Sequence, residues 1–391
     1  MAASSAFVWS DALAAYRFNQ DHPLNPRRLE ITVSLLRRLG LIGAQNIVAP
    51  RDAEESEIEA VHDPDYVAAV RAASRDPRPS ARYAAFGMGS DDVPLASGMH
   101  EAARRICGAT LTAAELVMSG RVQRAFSIAG GLHHARRAEA AGFCIYNDLA
   151  IAIRWLQQHY AARVLYIDID AHHGDGVQWL CYDDPGVLSL SFHESGAFLF
   201  PGTGFVDELG DGDGYGYSVN VPLDAHTEDD SFVEAFQELA PMLAAHFRPD
   251  VILLQCGCDA HVLDPLTHLR CTTSLYERLV RITCEIADRH CRGRVIATGG
   301  GGYAIYSVVP RAWTLAWSAL CDVVVGDDLP VDWLRAMRIE ARADLPTVLR
   351  DPADAFPPAP RRAEIEANNR RTVSAVKAQV MPLLTGWGLA F

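Results

Sequence analysis

Five short apolar segments, each followed by a longer stretch with helical spacing, constrain the fold of this chain more than any other feature. The segments are rich in Val, Ile and Leu, as expected of strands that are covered on both faces. Strands that alternate with helices predict an α/β fold with a central, mostly parallel β-sheet flanked by helices on both faces. The predicted strands are Ala125–Ala129, Val164–Asp168, Val187–Phe192, Val251–Gln255 and Val295–Thr298.

Helical spacing of apolar residues accounts for most of the chain between these strands. A Pro-rich segment, Asp351–Pro360, is expected to run extended over the surface into a last helix, Arg361–Leu384. We expect a single domain over residues 1–391, with its motifs at about 16–321 and a C-terminal part at about 330–391. The other predicted helices are Arg27–Leu39, Met99–Met118, Leu149–Tyr160, Ser231–Phe247, Ser274–Cys291 and Val308–Cys321.

The charge and hydropathy of the chain exclude several functional classes. The formal net charge of −14 argues against a nucleic-acid-binding surface, because neutralising phosphates requires clustered Lys and Arg. Lys377 is the single lysine among 35 basic residues. No apolar run reaches the ~18 residues of a membrane span, and the N-terminal residues lack the pattern of a secretory signal. We therefore expect a cytoplasmic protein with no membrane or nucleic-acid partner.

A polar or glycine-rich loop follows each predicted strand. In chain order these loops read GGLHHARR, DAHHGDG, HESGAFLFPGTG, CGCDAHVLDP and GGGGYAIY. Ligands of open parallel sheets bind outside the carboxyl ends of the strands. Since all five loops leave that edge, the sequence predicts one active site where they converge.

Two of these loops carry candidate metal ligands. Asp170 and His172 lie two apart after a strand, so their side chains point to the same side. A carboxylate and an imidazole suit zinc or ferrous iron, and a third protein ligand would leave one coordination position open for catalysis. Asp259, in the loop after Val251–Gln255, is the candidate for that third ligand. Taken alone, Asp170 and His172 could instead cap a helix or pair with each other.

The histidine doublet His133–His134 is a candidate acid/base pair. Two aspartates, Asp168 and Asp175, remain after the metal ligands are assigned. A carboxylate bonded to one imidazole nitrogen fixes the tautomer and raises the basicity of the ring. Two histidines with two such aspartates favour acid/base work over a metal clamp or a solvated loop.

Tyr303 follows the four glycines Gly299–Gly302. The run lacks the Lys and Ser/Thr of a phosphate loop, so it predicts a phenol on a mobile loop that can donate to a developing oxyanion. Phe143 and Phe200 sit in glycine-flanked loops and could line a narrow apolar channel. Core packing is the alternative for all three aromatic residues.

Six motifs in this order resemble those of the zinc-dependent histone deacetylases of the arginase/deacetylase fold: HPLNPRR, GGLHHA, GFCIYND, IDIDAHHGDG, FPGTG and GGGGY. The resemblance covers about residues 16–321. In detail, FHESGAFLFPGTG and CGCDAHVLDPLTH are similar to the acetoin-utilisation branch of that family in bacteria. The resemblance implies a single-domain arginase/deacetylase fold.

The resemblance also implies a role for each candidate in the site. Zn2+, or Fe2+, would be held by Asp170, His172 and Asp259. His133, paired with Asp168, would be the base for the attacking water, and His134, paired with Asp175, would protonate the leaving amine. Tyr303 would hydrogen-bond the oxyanion.

For the substrate, the resemblance implies a tunnel for acetyl-lysine and a rim around its mouth. Phe143 and Phe200 would flank the tunnel, with Gly142 on its wall and Leu266 near its mouth, and Asp92 would grip the substrate backbone at the rim. Beneath the metal, an internal channel would contain Arg28. K+ would bind near the metal, largely through backbone oxygens, and the residues implied for it are Asp168, Asp170, His172, Ser191 and Phe192.

The activity so implied is hydrolysis of N6-acetyl-lysine in an acetylated protein or peptide to lysine and acetate, with an acyl-CoA synthetase of acetoin or acetate metabolism as the expected target. One alternative is a deacetylase of acetylpolyamines or other small amines, although these would favour an acidic residue where Leu266 stands. A binuclear manganese ureohydrolase would need Asp at Gly174 and His261. A catalytically inactive acetyl-lysine-binding protein would have lost a ligand, a histidine or Tyr303. Cys258, beside Asp259, departs from many family members and is expected to be buried and inert, with a redox-sensitive thiol as the alternative.

Overall fold

A sheet of eight parallel strands lies at the centre of the chain in the computed structural model, which describes residues 4–384. The strand order is β2-β1-β3-β8-β7-β4-β5-β6. All residues of the inner strands are buried, so both faces of the sheet are covered. The strands are β1 (Ser5–Val8), β2 (Ile47–Val48), β3 (Arg124–Ser127), β4 (Val164–Asp168), β5 (Val187–Glu194), β6 (Ser218–Leu223), β7 (Val251–Gln255) and β8 (Val295–Thr298).

Twelve α-helices accompany this sheet within residues 4–384. None of the helices in that range combines the length and the apolar character needed to cross a membrane. Short 3-10 turns lie at Asp11–Ala15 and Gly212–Gly214. The α-helices are α1 (Arg27–Arg38), α2 (Glu55–Glu59), α3 (Pro64–Arg75), α4 (Ala81–Ala84), α5 (Met99–Met118), α6 (Asp148–Tyr160), α7 (Asp175–Leu180), α8 (Asp229–Phe247), α9 (Thr273–His290), α10 (Val309–Leu320), α11 (Val331–Ala341) and α12 (Arg362–Leu384).

The α/β class is confirmed, and the sheet is entirely parallel among the described residues. The predicted strand Ala125–Ala129 is displaced to Arg124–Ser127, and the prediction Val187–Phe192 stops two residues before the strand ends at Glu194. Sequence reasoning missed β1, β2 and β6, which lie toward the edges of the sheet, where apolar runs are short or interrupted. It also missed α2, α3, α4, α7 and α11, whereas every predicted helix is present to within two residues at its ends.

Four strands in the middle of the sheet, β3, β8, β7 and β4, present their carboxyl ends side by side. The register pairs Asp168 at the end of β4 with Gln255 on β7 and with Ser191 on β5. Gln255 in turn pairs with Thr298 on β8. The loops that leave these strands therefore start from one level, and the residues just after each strand end meet.

The C-terminal part is fixed to this edge by the buried carboxylate of Asp351. Its two oxygens accept from Arg311 at 2.7 Å and from the backbone N–H of Thr273 at 2.9 Å. His261, in the loop after β7, lies 2.9 Å away through Nε2. Burial disfavours the charge on Asp351, but His261 and Arg311 outweigh it and lower the pKa of the carboxyl.

The last helix, α12, packs against α8 and β6. Ion pairs join the two helices on the solvent side, where Arg370 Nε lies 2.8 Å from Glu234 Oε1 and Lys377 pairs with Glu238. The helix is thus part of the layer that covers the β6 edge of the sheet.

Candidate active site

Three side chains that could bind a metal ion meet at the carboxyl ends of β4 and β7. Asp170 and His172 follow β4, and Asp259 follows β7, its neighbour in the sheet. One ligand atom from each residue lies within 4.8 Å of the other two. His172 Nδ1 is 2.9 Å from Asp259 Oδ2 and 3.2 Å from Asp170 Oδ1. The sequence prediction that these three residues share one place agrees with this geometry.

Burial makes it unfavourable for the side chains of this cluster to carry charge. Burial and the charge of Asp170 raise the pKa of Asp259 to about 6. Burial opposes ionisation of Asp170 as well, but His133 and His172 outweigh it, so the pKa of Asp170 is lowered. Burial also disfavours a charged His172, yet Asp259 and Asp170 hold its pKa well above the usual value. Two carboxylates and one imidazole in a buried pocket are a donor set that a divalent cation satisfies.

The glycine run comes into direct contact with the cluster. Gly301 N–H donates to Asp170 Oδ2 at 2.7 Å, and a Cβ at Gly301 would lie 2.0 Å from Asp259 Oδ2. A Cβ at Gly257 would lie 1.9 Å from Asp170 Oδ2. Any side chain at either position would displace a candidate ligand. The run is buried, and close approach to the cluster accounts for Gly301.

The first histidine of the doublet forms what we call the inner pair, His133 with Asp168. His133 Nδ1 lies 2.8 Å from Asp168 Oδ2, which also accepts a hydrogen bond from the Tyr166 hydroxyl. The other oxygen of Asp168 accepts from the backbone N–H of Asp170 at 3.1 Å. Burial disfavours a charged His133, but the carboxylates of Asp168 and Asp170 outweigh it and raise the pKa of His133 to about 9.

The second histidine forms the outer pair, His134 with Asp175. His134 Nδ1 lies 2.7 Å from Asp175 Oδ1, and the other Asp175 oxygen accepts from Arg136 Nη2 at 2.9 Å. Burial lowers the pKa of His134 to about 4, and the neighbouring His133 adds to the shift. The two rings are only 4.0 Å apart between centroids, so a positive charge on one disfavours a charge on the other.

The doublet is held in place by two residues at the start of α6. The Asp148 carboxylate accepts from the backbone N–H groups of Gly131 and Leu132 at 2.8–3.1 Å. Asn147 donates through Nδ2 to the carbonyl oxygens of His133 and Ala135. The loop is therefore positioned by buried hydrogen bonds.

Tyr303 lines a small cavity together with His133 and His134. Burial raises the pKa of its phenol well above the usual value, with Asp259 and Asp170 adding to the shift, so the hydroxyl keeps its proton. The backbone N–H of Tyr303 donates to Asp264 Oδ2 at 2.8 Å. Burial and the nearby Asp259 raise the pKa of Asp264 to about 7. The phenol thus remains a hydrogen-bond donor throughout the neutral pH range.

The two predicted tunnel aromatics face this site from different loops. The Phe143 ring meets that of Tyr303 edge-on at 5.7 Å, and the Phe200 ring lies 5.1 Å from His134. Phe200 is 48% exposed, which sets it at the mouth of the site. Asp92 Oδ2 accepts from the backbone N–H of Gly142 at 2.8 Å, so in this structure it holds the loop that carries Phe143.

Arg28, for which the resemblance implies a place in an internal channel, lies beside the doublet and Tyr303. It is buried, its Nη1 donates to Gly302 O at 2.9 Å, and its guanidinium lies 5.2 Å from the centre of the Trp313 ring. Together with His133 and Tyr303 it lines a cavity of about 20 Å³.

The remaining predicted residues lie at the edge of this arrangement. Leu266 is half-buried outside the small cavity, and its backbone N–H donates to Asp264 Oδ1 at 3.0 Å. Of the residues implied for potassium, Asp168 and Ser191 face each other in the register of β4 and β5. Phe192 follows on β5 and is buried.

Residues 22–320 match the family model described as "Histone deacetylase domain". The chain belongs to the histone deacetylase family. It is therefore a hydrolase of that family, and the resemblance read from the six motifs is confirmed.

Relatives within the histone deacetylase family cover nearly the whole chain. The "Acetoin utilization protein AcuC" of Bacillus subtilis (strain 168) is 49% identical over 370 residues, which are 95% of this chain and 96% of that protein. The protein of the same name from Staphylococcus xylosus is 40% identical over 381 residues, 96% of this chain and 98% of its own length. The acetoin-utilisation branch is thereby supported as well.

Solved structures of histone deacetylase homologues share the fold. The chain is similar to a structure described as an HDAC homolog from Aquifex aeolicus, with a TM-score of 0.84 and 30% identity, covering 95% of this chain and 100% of that one. A second structure, an HDAC homolog complexed with SAHA, gives a TM-score of 0.85 at 29% identity over the same shares of the two chains. The arginase/deacetylase fold is confirmed.

Two positions separate this histone deacetylase family member from a binuclear manganese enzyme. Position 174 is Gly174, and a Cβ there would lie 2.3 Å from Asp168 Oδ2. Position 261 is His261, which pairs with Asp351 rather than with the ligand cluster. Neither position supplies the extra carboxylate that a second metal ion would need.

Besides Asn147 and Asp148, sequence reasoning missed four other residues that contact the site in this histone deacetylase family member. Gln255 donates to Asp170 Oδ2 at 2.7 Å, while Tyr166, Asp264 and Arg136 contact Asp168, Tyr303 and Asp175. A signal existed for Gln255 and Tyr166, since each is a polar group within or at the end of an otherwise apolar strand. Arg136 and Asp264 act on partners 39 residues away, and no local pattern identifies them.

Proposed function

We propose that this member of the histone deacetylase family is a metal-dependent protein lysine deacetylase, which hydrolyses N6-acetyl-lysine to lysine and acetate. One observation carries the proposal: two histidine–aspartate pairs and a neutral tyrosine surround a buried cluster of two carboxylates and one imidazole. Cleaving an amide needs an activated water, a stabilised oxyanion and a proton for the amine, and this arrangement has a group for each.

In this proposal Asp170, His172 and Asp259 hold one divalent cation, with zinc and ferrous iron as the metals that suit the donor set. Such a cation polarises the acetyl carbonyl and acidifies the attacking water. Its positive charge also offsets the two carboxylates, which otherwise face each other in a buried pocket. Asp168, Asp170, His172, Ser191 and Phe192 remain the proposed surroundings of a potassium ion.

In the two pairs, we assign to His133 the removal of the proton from water and to His134 its delivery to the leaving amine. Without a cation, His133 carries the charge, because Asp168 and Asp170 raise its pKa to about 9. A cation on Asp170 removes one of these two attractions, so the role of base depends on an occupied metal site. A pKa of about 4 leaves His134 neutral at pH 7, so it must receive the proton that it later donates during the reaction.

The remaining groups bind and orient the substrate. Tyr303 donates its phenolic proton to the oxyanion, and Phe143 and Phe200 enclose the aliphatic stem of acetyl-lysine, beside Gly142. Asp92 and Leu266 contribute to the rim, and Arg28 faces the acetate side of the cavity. By analogy with the AcuC relatives, we propose a cytoplasmic role in acetoin or acetate metabolism, with an acetylated acyl-CoA synthetase as the protein substrate.

A second candidate is a deacetylase of acetylpolyamines or other small acylated amines. A cationic amine favours an acidic residue at the tunnel mouth, whereas Leu266 is apolar and the Asp92 carboxylate is engaged by Gly142 N–H. These two features favour the peptide substrate.

Acetate release distinguishes the two candidates. The protein is loaded separately with zinc or ferrous iron and supplied with an acetyl-lysine peptide or with N-acetylputrescine. We expect turnover of the peptide and little of the small amine. Turnover of N-acetylputrescine alone would assign the enzyme to small amines. If neither substrate is hydrolysed, the proposed activity is overturned.

A further inference from the structure

A groove of about 700 Å³ opens beside Tyr303, on the solvent side of the proposed active site. Tyr303 lines both this groove and the small cavity that contains His133 and His134. A volume of this order accommodates a drug-sized ligand or a few residues of an extended peptide. The groove therefore shares the Tyr303 side chain with the place where the acetyl group would be cleaved.

Three stretches of chain form its walls. Leu263 belongs to the loop after β7, and Tyr303–Ser307 belong to the loop after β8. The third wall is formed by Ala341, at the end of α11, and by residues 343–346, which lie beyond the 22–320 range that matches the histone deacetylase family model. One side of the groove is thus supplied by the C-terminal part of the chain.

The C-terminal wall is fixed to the body of the protein. Leu345 is buried in an apolar cluster with Ile31 and Trp333. The carbonyl oxygen of Leu345 accepts from Arg338 Nη2 at 2.9 Å, and the same guanidinium group pairs with Asp344 at 2.8 Å. The wall is therefore held in place by apolar packing, a hydrogen bond and an ion pair.

The chemistry of the groove is mainly apolar. Leu263 is 45% exposed, and the half-buried Ile305 and Pro346 contribute further apolar surface. Two of the polar groups on its walls already have partners, since Asp344 pairs with Arg338 and the Tyr306 hydroxyl donates to Glu340 at 3.1 Å.

A second groove reaches Phe200 and differs in character. Its volume is about 440 Å³, and Asp92, Arg136 and Glu139 are among its lining residues. Among the described residues, the groove beside Tyr303 has one charged residue in its lining, Asp344, whereas the second groove has these three.

We propose that the groove beside Tyr303 binds the segment of the protein substrate next to acetyl-lysine and selects an apolar side chain there. The inference rests on the proposed function, because an acetyl group held at Tyr303 places the adjoining substrate residues at the mouth of the tunnel. It specifies the substrate class further: an extended, locally apolar peptide rather than a free acetylated amine or an acidic segment.

The test compares acetyl-lysine peptides that differ in one flanking residue, Leu or Asp, placed in turn at each of the three positions on either side. The reference substrate is acetyl-lysine with both ends capped and no flanking residues. In the wild-type enzyme we expect kcat/KM for the Leu peptide to exceed that for the Asp peptide about tenfold at one or two positions. This ratio corresponds to the free energy gained by partly burying one leucine side chain.

Two groove variants, Leu263→Asp and Ala343→Glu, place a carboxylate on opposite walls, and Val324→Asp is the matched control. Val324 is apolar and 90% exposed but does not line the groove. We expect the Leu/Asp preference to fall to near one in both groove variants and to persist in the control. Because the preference is a ratio within one enzyme, a variant with reduced stability still reports it.

The outcomes separate the groove from the activity on which it rests. If the capped acetyl-lysine is hydrolysed and the Leu and Asp peptides have equal kcat/KM at every position, the proposed role of the groove is overturned and the deacetylase activity stands. An unchanged preference in both groove variants would also overturn it. Failure to hydrolyse any acetyl-lysine compound would instead overturn the proposed function.

Discussion

The inner pair, His133 with Asp168, and the outer pair, His134 with Asp175, have the same chemical composition but different surroundings. Asp168 is fully buried and contacts Tyr166 and the backbone of Asp170, so the inner pair is connected to the proposed metal ligands. Asp175 is shared with Arg136, whose side chain is 40% exposed, so the outer pair is connected to the surface. The two pKa shifts have opposite signs.

The difference teaches that neighbours, rather than residue type, determine which imidazole is charged. His133 lies near two carboxylates, which outweigh its burial and raise the pKa to about 9. His134 has one carboxylate, and that carboxylate is already neutralised in part by Arg136, so burial and the adjacent His133 lower the pKa to about 4. Two rings 4.0 Å apart therefore hold one positive charge between them.

Removing the cation site that both pairs face should have the largest effect. For Asp259→Ala we expect metal content to fall toward zero and turnover to fall by about 10³-fold or more, since a metal ion supplies several kcal/mol of transition-state stabilisation. Metal per chain is measured by elemental analysis after dialysis, with the exposed Asp76→Ala as control. Normal metal content in the Asp259 variant would remove this residue from the ligand set.

Removing one ring at a time tests the coupling inside the doublet. His133→Gln and His134→Gln should each reduce kcat/KM by about 10²–10⁴-fold, the range of general acid–base groups. In the metal-free His133→Gln protein the pKa of His134 should rise above about 4, because the charge of His133 helps to lower it. Titration of the ring protons by NMR measures this pKa. An unchanged pKa of His134 would contradict the proposal that the two rings share one positive charge.

Tyr303→Phe should reduce kcat by about 10²–10³-fold, as for loss of one oxyanion donor. Metal content and the titration of His133 and His134 should stay as in the wild type, because the phenol is not a partner of either pair. Full turnover in this variant would exclude Tyr303 from the reaction. Changed histidine titration would show that the tyrosine acts through the pairs.

Replacing each carboxylate by its amide compares the pairs directly. Asp168→Asn and Asp175→Asn should each lower activity by about 10–100-fold, as expected for partners that orient a site residue. In metal-free Asp168→Asn, the pKa of His133 should fall from about 9, since Asp168 is its main source of stabilisation. If it does not fall, Asp170 alone sets the charge of the inner pair.

The smallest effect is expected where the outer pair reaches the surface. Burial disfavours the charge on Asp175, but His134 and Arg136 outweigh it and lower the pKa to about 2. A lowered pKa stabilises the fold above about pH 4 and ceases to do so as the pH falls through 2. Arg136→Gln should therefore reduce the free energy of unfolding by about 1 kcal/mol at pH 7.

Urea unfolding at several pH values checks this prediction. The difference between Arg136→Gln and the wild type should be complete at pH 5 and should disappear as the pH falls through about 2. A difference that is the same at all pH values would mean that Arg136 stabilises the fold by packing rather than through Asp175.

Much of the fold could be predicted because the inner strands are apolar on both faces. β4 and β7 occur at the predicted residues, whereas β2 has only two residues and β6 contains Pro222, so neither has the pattern of a buried strand. The meeting of Asp170, His172 and Asp259 followed from the shared edge of a parallel sheet. Gln255 is conspicuous as a polar residue at the end of an apolar strand, but its partner Asp170 is 85 residues away and could not be identified from the sequence. The functional roles of the site residues stay predictions.

The ion pair between Lys377 and Glu238 on the outside of α12 has a consequence for the chemistry of the protein itself. Lys377 is the one lysine of the chain, so its folded surface offers acetyl donors a single side-chain amine. Arginine supplies the cations that contact Asp175, Asp351 and Glu234, and its guanidinium keeps its charge at any physiological pH. These contacts are therefore insulated from the lysine modification that gives the histone deacetylase family its name.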